Sequence, residues 1–471
     1  MKNRSRKRRI MGNSSIFSLI FLFLLFTACN SDKKKQNTSE NQKLEKSTQV
    51  KHPEWSKNAV IYEVNIRQYT EEGTFEAFEE HLPRLKELGV DILWLMPIHP
   101  IGEKNRKGTL GSYYSVKDYK GINPNFGDKK DFRELVDKIH SMDMKIILDW
   151  VANHSAWDNK LIKKHPEWYT TDSSGNFQAP VDDWTDVADL NYNNQKLQKY
   201  MTGAMKYWVK KFDVDGYRCD VAGMVPISFW NNTHEELDKI KDVFMLAEAN
   251  EVELHNKAFD MTYAWDLHFL MNDVAKGKKN ANDLAEKMNN DLKKYPENAY
   301  RMMFTSNHDE NTWKGTVYER LRGGVKTFTM LTYTLPGMPL IYSGQEACLD
   351  KRLKFFEKDQ IDWKSCEMTP FYQKLNKLKK KNIALWNGKY GGSYERIKTN
   401  ADKQAFVFVR EKRDNKILVI SNLINQPVNI ELTTKNHSGE YSEYFTQEKT
   451  KLSANSSVKL EPWEFKILIK Q

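Results

Sequence analysis

The chain has 471 residues, of which 39% are hydrophobic and 29% are charged, and these values are typical of a folded protein with more than one domain. The net charge of +10 is concentrated at the N-terminus, because the first 28 residues contain six basic and no acidic residues, while the other 67 basic and 63 acidic residues nearly balance. No basic patch interleaved with aromatic residues stands out in the rest of the chain, which argues against nucleic acid as a partner.

The N-terminal segment has the pattern of an export signal. Its basic residues precede an apolar run over residues 16–28, which is too short for a transmembrane helix and suits the hydrophobic region of a signal peptide. The run ends in Phe-Thr-Ala-Cys at Cys29 and resembles a bacterial lipobox, although Phe26 stands where leucine is more usual. We therefore expect a signal peptide over residues 1–28, a lipid on Cys29, a polar tether over residues 29–53 and a lipid-anchored location in the bacterial cell envelope. The alternative is an ordinary signal peptide with an incidental cysteine.

From residue 54 onward, predicted strands alternate with predicted helices. Eight short apolar runs have the length of buried parallel strands, and apolar residues at helical spacing separate several of them, as after the candidate N-cap Thr74. Eight such units predict an α/β fold, a (β/α)8 TIM barrel over residues 54–385. The predicted strands cover residues 59–64, 92–97, 145–151, 216–221, 244–248, 258–265, 300–305 and 340–343.

Two segments depart from this alternation. Residues 152–193, after the third predicted strand, are rich in Trp, Asp, Asn, Pro and Gly without clear periodicity, and so long a loop is usually functional. Residues 386–471 contain short β-like runs separated by Gly, Asn and Asp, which predict a C-terminal all-β sandwich domain. Only three cysteines follow Cys29, so no disulfide framework is evident.

Four short motifs each follow a predicted strand and contain acidic or imidazole side chains. They are DWVANH at residues 149–154, GYRCD at residues 216–220, AEA around Glu248 and SNHD at residues 306–309. Because the C-terminal ends of barrel strands converge on one mouth, we expect these side chains to meet in a single site. Three carboxylates in a sugar-sized pocket are suited to breaking a glycosidic bond.

The four motifs, in this order and at these strand ends, resemble the conserved regions of the α-amylase superfamily, glycoside hydrolase family 13. The resemblance extends from about Trp55 to the C-terminus and identifies residues 152–193 as domain B of that family. The segments YSVKDYKGINPNFG at residues 114–127 and ADLN at residues 188–191 also fit. One departure is at residues 222–224, Ala-Gly-Met, where typical secreted amylases have a Lys-His pair. It leaves the acceptor side of the site, and hence the substrate, open.

The resemblance implies a catalytic trio. Asp220 matches the nucleophile, Glu248 the general acid/base, and Asp309 the carboxylate that orients substrate hydroxyls and stabilises the positively charged transition state. Arg218 precedes Asp220 by two residues, so both side chains lie on one face of the strand, where the guanidinium is expected to lower the pKa of Asp220. The alternative is a purely structural Arg–Asp pair at a strand end.

Glu248 must carry a proton to act as the acid, and burial or the negative charge of the other two carboxylates favours this. Two neighbouring acids, Glu251 and Glu253, are rival candidates for the same role. They lie beyond the predicted strand, so we expect them to face solvent.

The same resemblance assigns the residues that hold the sugar at the cleavage site. Two histidines at separate strand ends are matched to hydrogen bonds, and an aromatic residue is matched to stacking, with Tyr113 competing with Tyr114 for that role. Asp149 is expected to support the arginine beside the nucleophile from behind. The predicted substrate-binding set is Arg218, His154, His308, Tyr114 and Asp149.

Asn153 and Asp189 match positions that bind Ca²⁺ in many members of the family, between the barrel and domain B, and hard oxygen ligands suit this ion. Calcium-free relatives exist, and the missing Lys-His pair alters one side of the usual site, so the alternative is that both side chains only hydrogen-bond the loop. No organic cofactor is expected. Trp157, Trp184 and Trp313 are either platforms for sugar rings or residues packed within their loops.

The sequence therefore predicts a retaining α-glycoside hydrolase that cleaves the α-glucosidic bonds of maltodextrin or starch-type α-glucans by double displacement. Alternatives within the same family are a glucosyltransferase, a debranching enzyme and a cyclomaltodextrin-cleaving enzyme. An alternative of another class is a catalytically silent glycan-binding protein, although such relatives usually lack one of the acids and none is missing here. The predicted partners are an α-glucan and, through Cys29, a membrane.

Overall fold

The structure is a computed structural model that describes residues 49–434 and 437–470. The predicted signal peptide, Cys29 and nearly all of the predicted tether lie outside these residues. Within the described part of the chain, no helix is both long and apolar enough to cross a membrane.

Eight parallel strands close into a barrel, which confirms the predicted fold class. Each strand pairs with its neighbour in parallel, and the last strand pairs with the first. Two further short strands lie in the loop that follows the third barrel strand. Around the barrel the strands are β1 (Ile61–Val64), β2 (Ile92–Leu95), β3 (Lys145–Trp150), β6 (Gly216–Cys219), β7 (Phe244–Ala247), β8 (Met261–Tyr263), β9 (Tyr300–Met303) and β10 (Met338–Tyr342), while β4 (His154–Ala156) and β5 (Val187–Asp189) are the two in the loop.

Two apolar layers explain why the strand sequences are continuously hydrophobic. One side of each strand fills the barrel interior, as Ile61, Trp94 and Leu246 do. The other side packs against the surrounding helices, as Tyr62 and Leu93 do. A parallel strand buried on both faces has no polar side, so its sequence lacks the alternation of a half-exposed strand.

The helices form the outer layer. The predicted N-cap is confirmed, because the hydroxyl of Thr74 accepts a hydrogen bond from the backbone N–H of Ala77. The helix predicted from there is broken in two, with Pro83 in the first turn of the second part, where proline is tolerated. The helices are Ile66–Tyr69, Phe75–Glu79, Leu82–Leu88, Lys129–Ser141, Lys160–Lys164, Gln195–Phe212, Ile227–Asp238, Trp265–Ala275, Ala281–Lys294, Val317–Leu321, Val325–Thr334 and Met368–Lys381.

The residues after the barrel form two antiparallel sheets that share an apolar core. On β12, Val407 and Val409 pack into this core, while Phe406 and Phe408 on the opposite face join the cluster that continues into the barrel helices. The first sheet is six-stranded, in the order β11 (Ser393–Arg396), β12 (Ala405–Lys412), β13 (Asn415–Asn422), β18 (Phe465–Lys470), β15 (Gly439–Glu443) and β16 (Lys449–Leu452), and the second pairs β14 (Val428–Glu431) with β17 (Ser457–Leu460).

A disulfide joins Cys348 to Cys366, whose Cα atoms are 6.1 Å apart. It closes the loop between β10 and the last barrel helix. The sequence did not indicate this bond, because the two cysteines are 18 residues apart and the folded loop brings them together. Cys219 is free and buried on β6.

Candidate active site

Three strand ends bring the predicted catalytic acids to one cavity. Asp220 follows β6, Glu248 follows β7 and Asp309 lies beyond the end of β9, and all three line a cavity of about 570 Å³. The backbone N–H of Asp220 bonds to the carbonyl of Trp150, and that of Glu248 bonds to the carbonyl of Cys219. The barrel hydrogen bonding therefore continues through the residues that carry the acids, which fixes their backbone.

Arg218 lies beneath the cavity and binds three carboxylates. Its Nη1 is 2.8 Å from Oδ1 of Asp149 and 3.1 Å from Oδ1 of Asp220, and its Nη2 is 2.8 Å from Oε2 of Glu248. Its Nε donates to the hydroxyl of Tyr263 at 3.2 Å. The contacts with Asp149 and Asp220 are charge-assisted hydrogen bonds, which are strong and directional, whereas the contact with Glu248 is an ion pair without hydrogen-bond geometry.

Arg218 and Asp149 are fully buried and do not line the cavity, although both stand in the predicted substrate-binding set. Their contacts explain the difference. Asp149 also accepts hydrogen bonds from the indole of Trp94 and the hydroxyl of Tyr114, both at 3.1 Å. The pair supports the residues above it rather than the sugar itself.

Asp220 is buried beside other carboxylates, and this environment changes its pKa. Burial, together with the negative charge of Glu248, raises the pKa of Asp220 well above its ordinary value, and the opposing effect of Arg218 is smaller. Arg218 lowers the pKa of Asp220, as expected, but burial and the negative charge of Glu248 outweigh this effect.

The residue after Asp220 connects the two acids through the backbone. Val221 has a φ of +36°, which is unusual for a β-branched residue. In this conformation its N–H donates to Oε2 of Glu248 at 2.8 Å. Strained backbone of this kind persists where surrounding structure enforces it, and here it holds the carboxylate of Glu248.

His308 is charged and held from both ring nitrogens. Its Nδ1 is 2.5 Å from Oε1 of Glu63, and its Nε2 is 2.8 Å from the hydroxyl of Tyr114 and 3.4 Å from Oδ2 of Asp309. Burial alone would lower the pKa of His308, but the negative charges of Asp309 and Glu63 raise it to about 9. At neutral pH the imidazolium donates from both nitrogens.

Glu63 is a site residue that the motifs do not reveal. It is fully buried on β1, and 245 residues separate it from His308. The available signal was its place as an acidic residue inside the apolar run AVIYEV, because an ionised group in a barrel strand needs a partner.

Tyr114, rather than Tyr113, lines the cavity. Its ring stacks on His308 with centroids 5.5 Å apart. Burial raises its pKa well above 10, so its hydroxyl remains protonated. Tyr113 is buried elsewhere, under the guanidinium of Arg67 at 3.9 Å and in a hydrogen bond with Asn65.

His154 lies in the cavity wall as a neutral imidazole. Burial lowers its pKa to about 3. Its Nδ1 accepts a hydrogen bond from Nδ2 of Asn153 at 3.2 Å, which leaves the ring proton on Nε2. The two predicted sugar-binding histidines therefore differ in charge, because the ring of His308 is cationic and that of His154 is neutral.

The two predicted calcium residues lie close to each other, because Asp189 on β5 pairs in register with His154, the residue after Asn153. The side-chain amide of Asn153 is hydrogen-bonded to His154, and burial raises the pKa of Asp189. Within the described ranges, neither residue belongs to a group of three acidic, histidine or cysteine side chains able to share one ion. Two side chains supply a small part of the six to eight oxygen ligands of Ca²⁺, so they do not by themselves fit a calcium site.

The rim of the cavity comes from loops. Trp184 and Trp313 line it, whereas Trp157 does not and instead donates from its indole to the carbonyl of Thr185 at 2.9 Å. At residues 222–224 a short 3-10 helix, Ala222–Met224, replaces the Lys-His pair, and none of its residues lines the cavity. The rivals Glu251 and Glu253 are exposed and outside it. Rim residues without a motif were missed, among them Lys107, Asp183, Asp186, Phe355 and Phe356.

Comparison with known proteins identifies the family. The model of the alpha amylase catalytic domain matches residues 30–184 and 164–417, and that of the alpha-amylase SusG C-terminal domain matches residues 406–464. Among curated proteins, Alpha-amylase 2 of Dictyoglomus thermophilum is 24% identical over 411 residues, covering 79% of this chain and 70% of that protein. A cyclomaltodextrinase of Thermoanaerobacter pseudethanolicus is 25% identical over 423 residues, covering 79% and 71%.

Solved structures agree over nearly the whole described chain. The noncanonic maltogenic alpha-amylase AmyB of Thermotoga neapolitana is 32% identical with a TM-score of 0.81, covering 88% of this chain and 98% of that one. An alpha-amylase of Lactobacillus plantarum is 31% identical with a TM-score of 0.80, covering 88% and 100%. The family match spans well over half of the sequence and includes all four motifs. The chain therefore belongs to the alpha-amylase family.

Proposed function

We propose that this α-glucan hydrolase cleaves α-1,4 bonds of maltodextrins with retention of configuration, using Asp220 and Glu248 in two displacement steps. In the first step a carboxylate oxygen of Asp220 bonds to the anomeric carbon, the glycosidic C–O bond breaks, and Glu248 gives its proton to the leaving oxygen. In the second step water attacks the anomeric carbon, Glu248 takes the water proton, and Asp220 leaves as a carboxylate. Two inversions return the original configuration.

The single observation that carries this proposal is the contact of one guanidinium with both acids. Arg218 is 3.1 Å from Asp220 and 2.8 Å from Glu248, so the nucleophile and the proton donor have fixed relative positions. Its positive charge opposes the rise in the pKa of Asp220 that burial and Glu248 cause, and so favours the carboxylate form that the nucleophile needs.

The side chains around the acids complete a subsite for one glucosyl unit. The cationic His308 and the neutral Nε2–H of His154 are hydrogen-bond donors for ring hydroxyls, and Asp309 is the corresponding acceptor. Tyr114 offers an aromatic face in the same cavity. A negative carboxylate at Asp309 also stabilises the positive charge that develops at the anomeric carbon.

The relatives support short α-glucans as substrates. Their names include maltogenic amylases and cyclomaltodextrinases. The exposed Met224, together with Ala222 and Gly223, replaces the usual charged pair on the acceptor side, so we expect the acceptor to be held by other rim residues. Linear maltooligosaccharides and cyclomaltodextrins are therefore the substrates to test first.

The proposal is tested by trapping the intermediate. A 5-fluoro-α-glucosyl fluoride should label the protein, and peptide mass spectrometry should place the sugar on Asp220. NMR of early products should show the α-anomer. Chromatography of products from maltoheptaose, β-cyclodextrin and pullulan then separates hydrolysis of α-1,4 bonds from debranching and from transfer to sugar acceptors. A wild-type protein that binds maltooligosaccharides without labelling or hydrolysis would instead be a silent glycan-binding protein.

No catalytic step is derived through calcium. Dialysis against a chelator, followed by activity and metal analysis, tests whether Asn153 and Asp189 join further ligands around an ion. If activity falls and returns only with Ca²⁺, the ion is required. If Asn153 only orients His154, a chelator leaves activity unchanged while Asn153→Ala lowers it.

We also propose that the chain is anchored to the cell envelope by a lipid on Cys29. The support is the basic segment, the apolar run and the cysteine at its end. Metabolic labelling with an alkyne-bearing fatty acid should modify the wild type and not Cys29→Ser. The variant should also leave the membrane fraction, and an equally membrane-bound, unlabelled wild type would contradict the proposal.

A further inference from the structure

We propose that Trp313 positions the catalytic Asp309 through its indole N–H and at the same time presents its ring to the bound sugar. This inference rests on the proposed function, because it concerns how Asp309 is held during that reaction. The indole Nε1 donates to Oδ1 of Asp309 at 3.2 Å. The other oxygen, Oδ2, is 3.4 Å from Nε2 of His308. Because Nε2 of His308 is hydrogen-bonded to the hydroxyl of Tyr114 at 2.8 Å, its contact with Oδ2 is an ion pair, and the indole supplies the hydrogen bond that orients the carboxylate.

Asp309 needs such support more than the other two acids. Its side chain is 37% exposed, compared with 9% for Asp220 and 13% for Glu248. Arg218 contacts the two buried acids and has no ion pair with Asp309 among the described residues. An exposed carboxylate without a second partner would rotate freely. Fixed orientation of catalytic groups contributes much of the rate acceleration of a preorganised site.

The backbone around Trp313 is specialised for this contact. Directly after Asp309 the chain forms a single π-helical turn, Glu310–Lys314. Turns of this type are rare and are frequent at functional sites. Within this turn the side chain of Trp313, four residues after Asp309, lies against its carboxylate.

The first three residues of the turn are anchored by side-chain hydrogen bonds. Glu310 binds Nε2 of His268 at 2.8 Å on the barrel side. Asn311 accepts from the N–H of Leu353 at 2.9 Å, and Thr312 donates to the carbonyl of Leu353 at 2.8 Å. Leu353 belongs to the loop closed by the Cys348–Cys366 disulfide. The turn is therefore fixed between the barrel and a covalently closed loop.

The exposure of the ring indicates a second role. Trp313 is 51% exposed, a costly position for a large apolar side chain, yet it lines the cavity. Phe355 and Phe356 lie beside it, with centroids 5.5 and 6.0 Å from the indole. Phe355 also stacks on Tyr114, so an aromatic wall runs from the cleavage site outward. The apolar face of a glucosyl ring fits such a wall.

The test separates the two roles with two substitutions. Trp313→Phe keeps an aromatic ring and removes the N–H, so kcat on an aryl α-maltoside should fall about tenfold, as for loss of a hydrogen bond to a charged acceptor, with KM nearly unchanged. Trp313→Ala should show the same fall in kcat and also a KM raised about tenfold. Trp157→Phe is the matched control, since it removes an indole N–H bonded outside the cavity, and it should behave as the wild type.

A second measurement shows whether Trp313 acts through Asp309. In an Asp309→Ala background, Trp313→Phe should cause no further loss of kcat, because the acceptor is gone. Equal losses in both backgrounds, or a Trp313→Phe enzyme with wild-type kcat, would overturn the inference. These outcomes differ from failure of the proposed function, in which the wild type itself neither hydrolyses the maltoside nor forms a glycosyl-enzyme. Melting temperatures of the variants should match the wild type, since the side chain is half exposed.

Discussion

The floor of the active-site cleft and its rim are built on different principles. The floor consists of buried, charged side chains at the ends of β3, β6 and β7, where Arg218 binds Asp149, Asp220 and Glu248. The rim consists of partly exposed aromatic side chains on loops, such as Trp184. On the proposed function, we expect the floor to carry out the cleavage and the rim to select the glucan that reaches it.

The energetic consequences differ as well. Removal of one member of a buried ion cluster leaves an uncompensated charge and costs about 3–5 kcal/mol. Removal of an aromatic side chain from the rim removes one surface for contact with the sugar, and water fills the space. Substitutions in the floor should therefore affect chemistry or stability, and substitutions in the rim should mainly affect substrate affinity.

The largest effect is expected at the nucleophile. Asp220→Asn should lower kcat by about 10⁴-fold or more, because the covalent step is lost. Hydrolysis of an aryl α-maltoside measures this loss. Asp213→Asn is the control, since Asp213 lies at an exposed helix end. Undiminished hydrolysis by Asp220→Asn would show that Asp220 is not the nucleophile and that the floor does not carry out the reaction.

The next largest effect is expected on stability, when the buried cation Arg218 is removed from the floor. Arg218→Met should lower the free energy of unfolding by about 3–5 kcal/mol, because three carboxylates lose their shared partner. Urea denaturation followed by circular dichroism measures it. Arg352→Met, which removes an exposed pair with Glu319, should cost far less. Equal losses would show that the buried cluster is no more important than a surface pair.

Between floor and rim lies the pair of Glu63 and His308. The imidazolium is present at low pH and is lost as the pH rises through the His308 pKa of about 9, so activity should have an alkaline limit there. Glu63→Gln removes one of the charges that raise this pKa, so the limit should move to lower pH and kcat at pH 8 should fall about tenfold. A pH profile measures both.

The control for Glu63→Gln is Glu253→Gln, an exposed glutamate outside the cavity. Its profile should coincide with that of the wild type. An alkaline limit that stays in place in Glu63→Gln would mean that His308 does not control it.

The smallest effect is expected at the rim. Trp184→Ala should raise KM for maltooligosaccharides about fivefold, as for loss of roughly 1 kcal/mol of aromatic contact, with little change in kcat. Steady-state kinetics with maltotriose and maltoheptaose measure it. If kcat falls instead while KM is constant, Trp184 belongs functionally to the floor.

The sequence predicts the floor far better than the rim, for a physical reason. Asp220, Glu248 and Asp309 follow buried strands whose apolar runs are local signals, and barrel geometry then brings the acids together. Glu63 depends on a partner 245 residues away, and no local pattern indicates that contact. Phe355 and Phe356 reach the cavity only through the path of a loop, so their positions depend on tertiary packing.

The Cys348–Cys366 bond makes one wall of the cleft depend on the redox conditions in which the protein is produced. Thiols of this kind stay reduced in a bacterial cytosol and pair in oxidising compartments. A closed loop of this length stabilises a protein by about 3 kcal/mol relative to the open chain. Material made in the cytosol and material made by export should therefore differ in thermal stability, and the difference should disappear when both preparations are treated with a reductant.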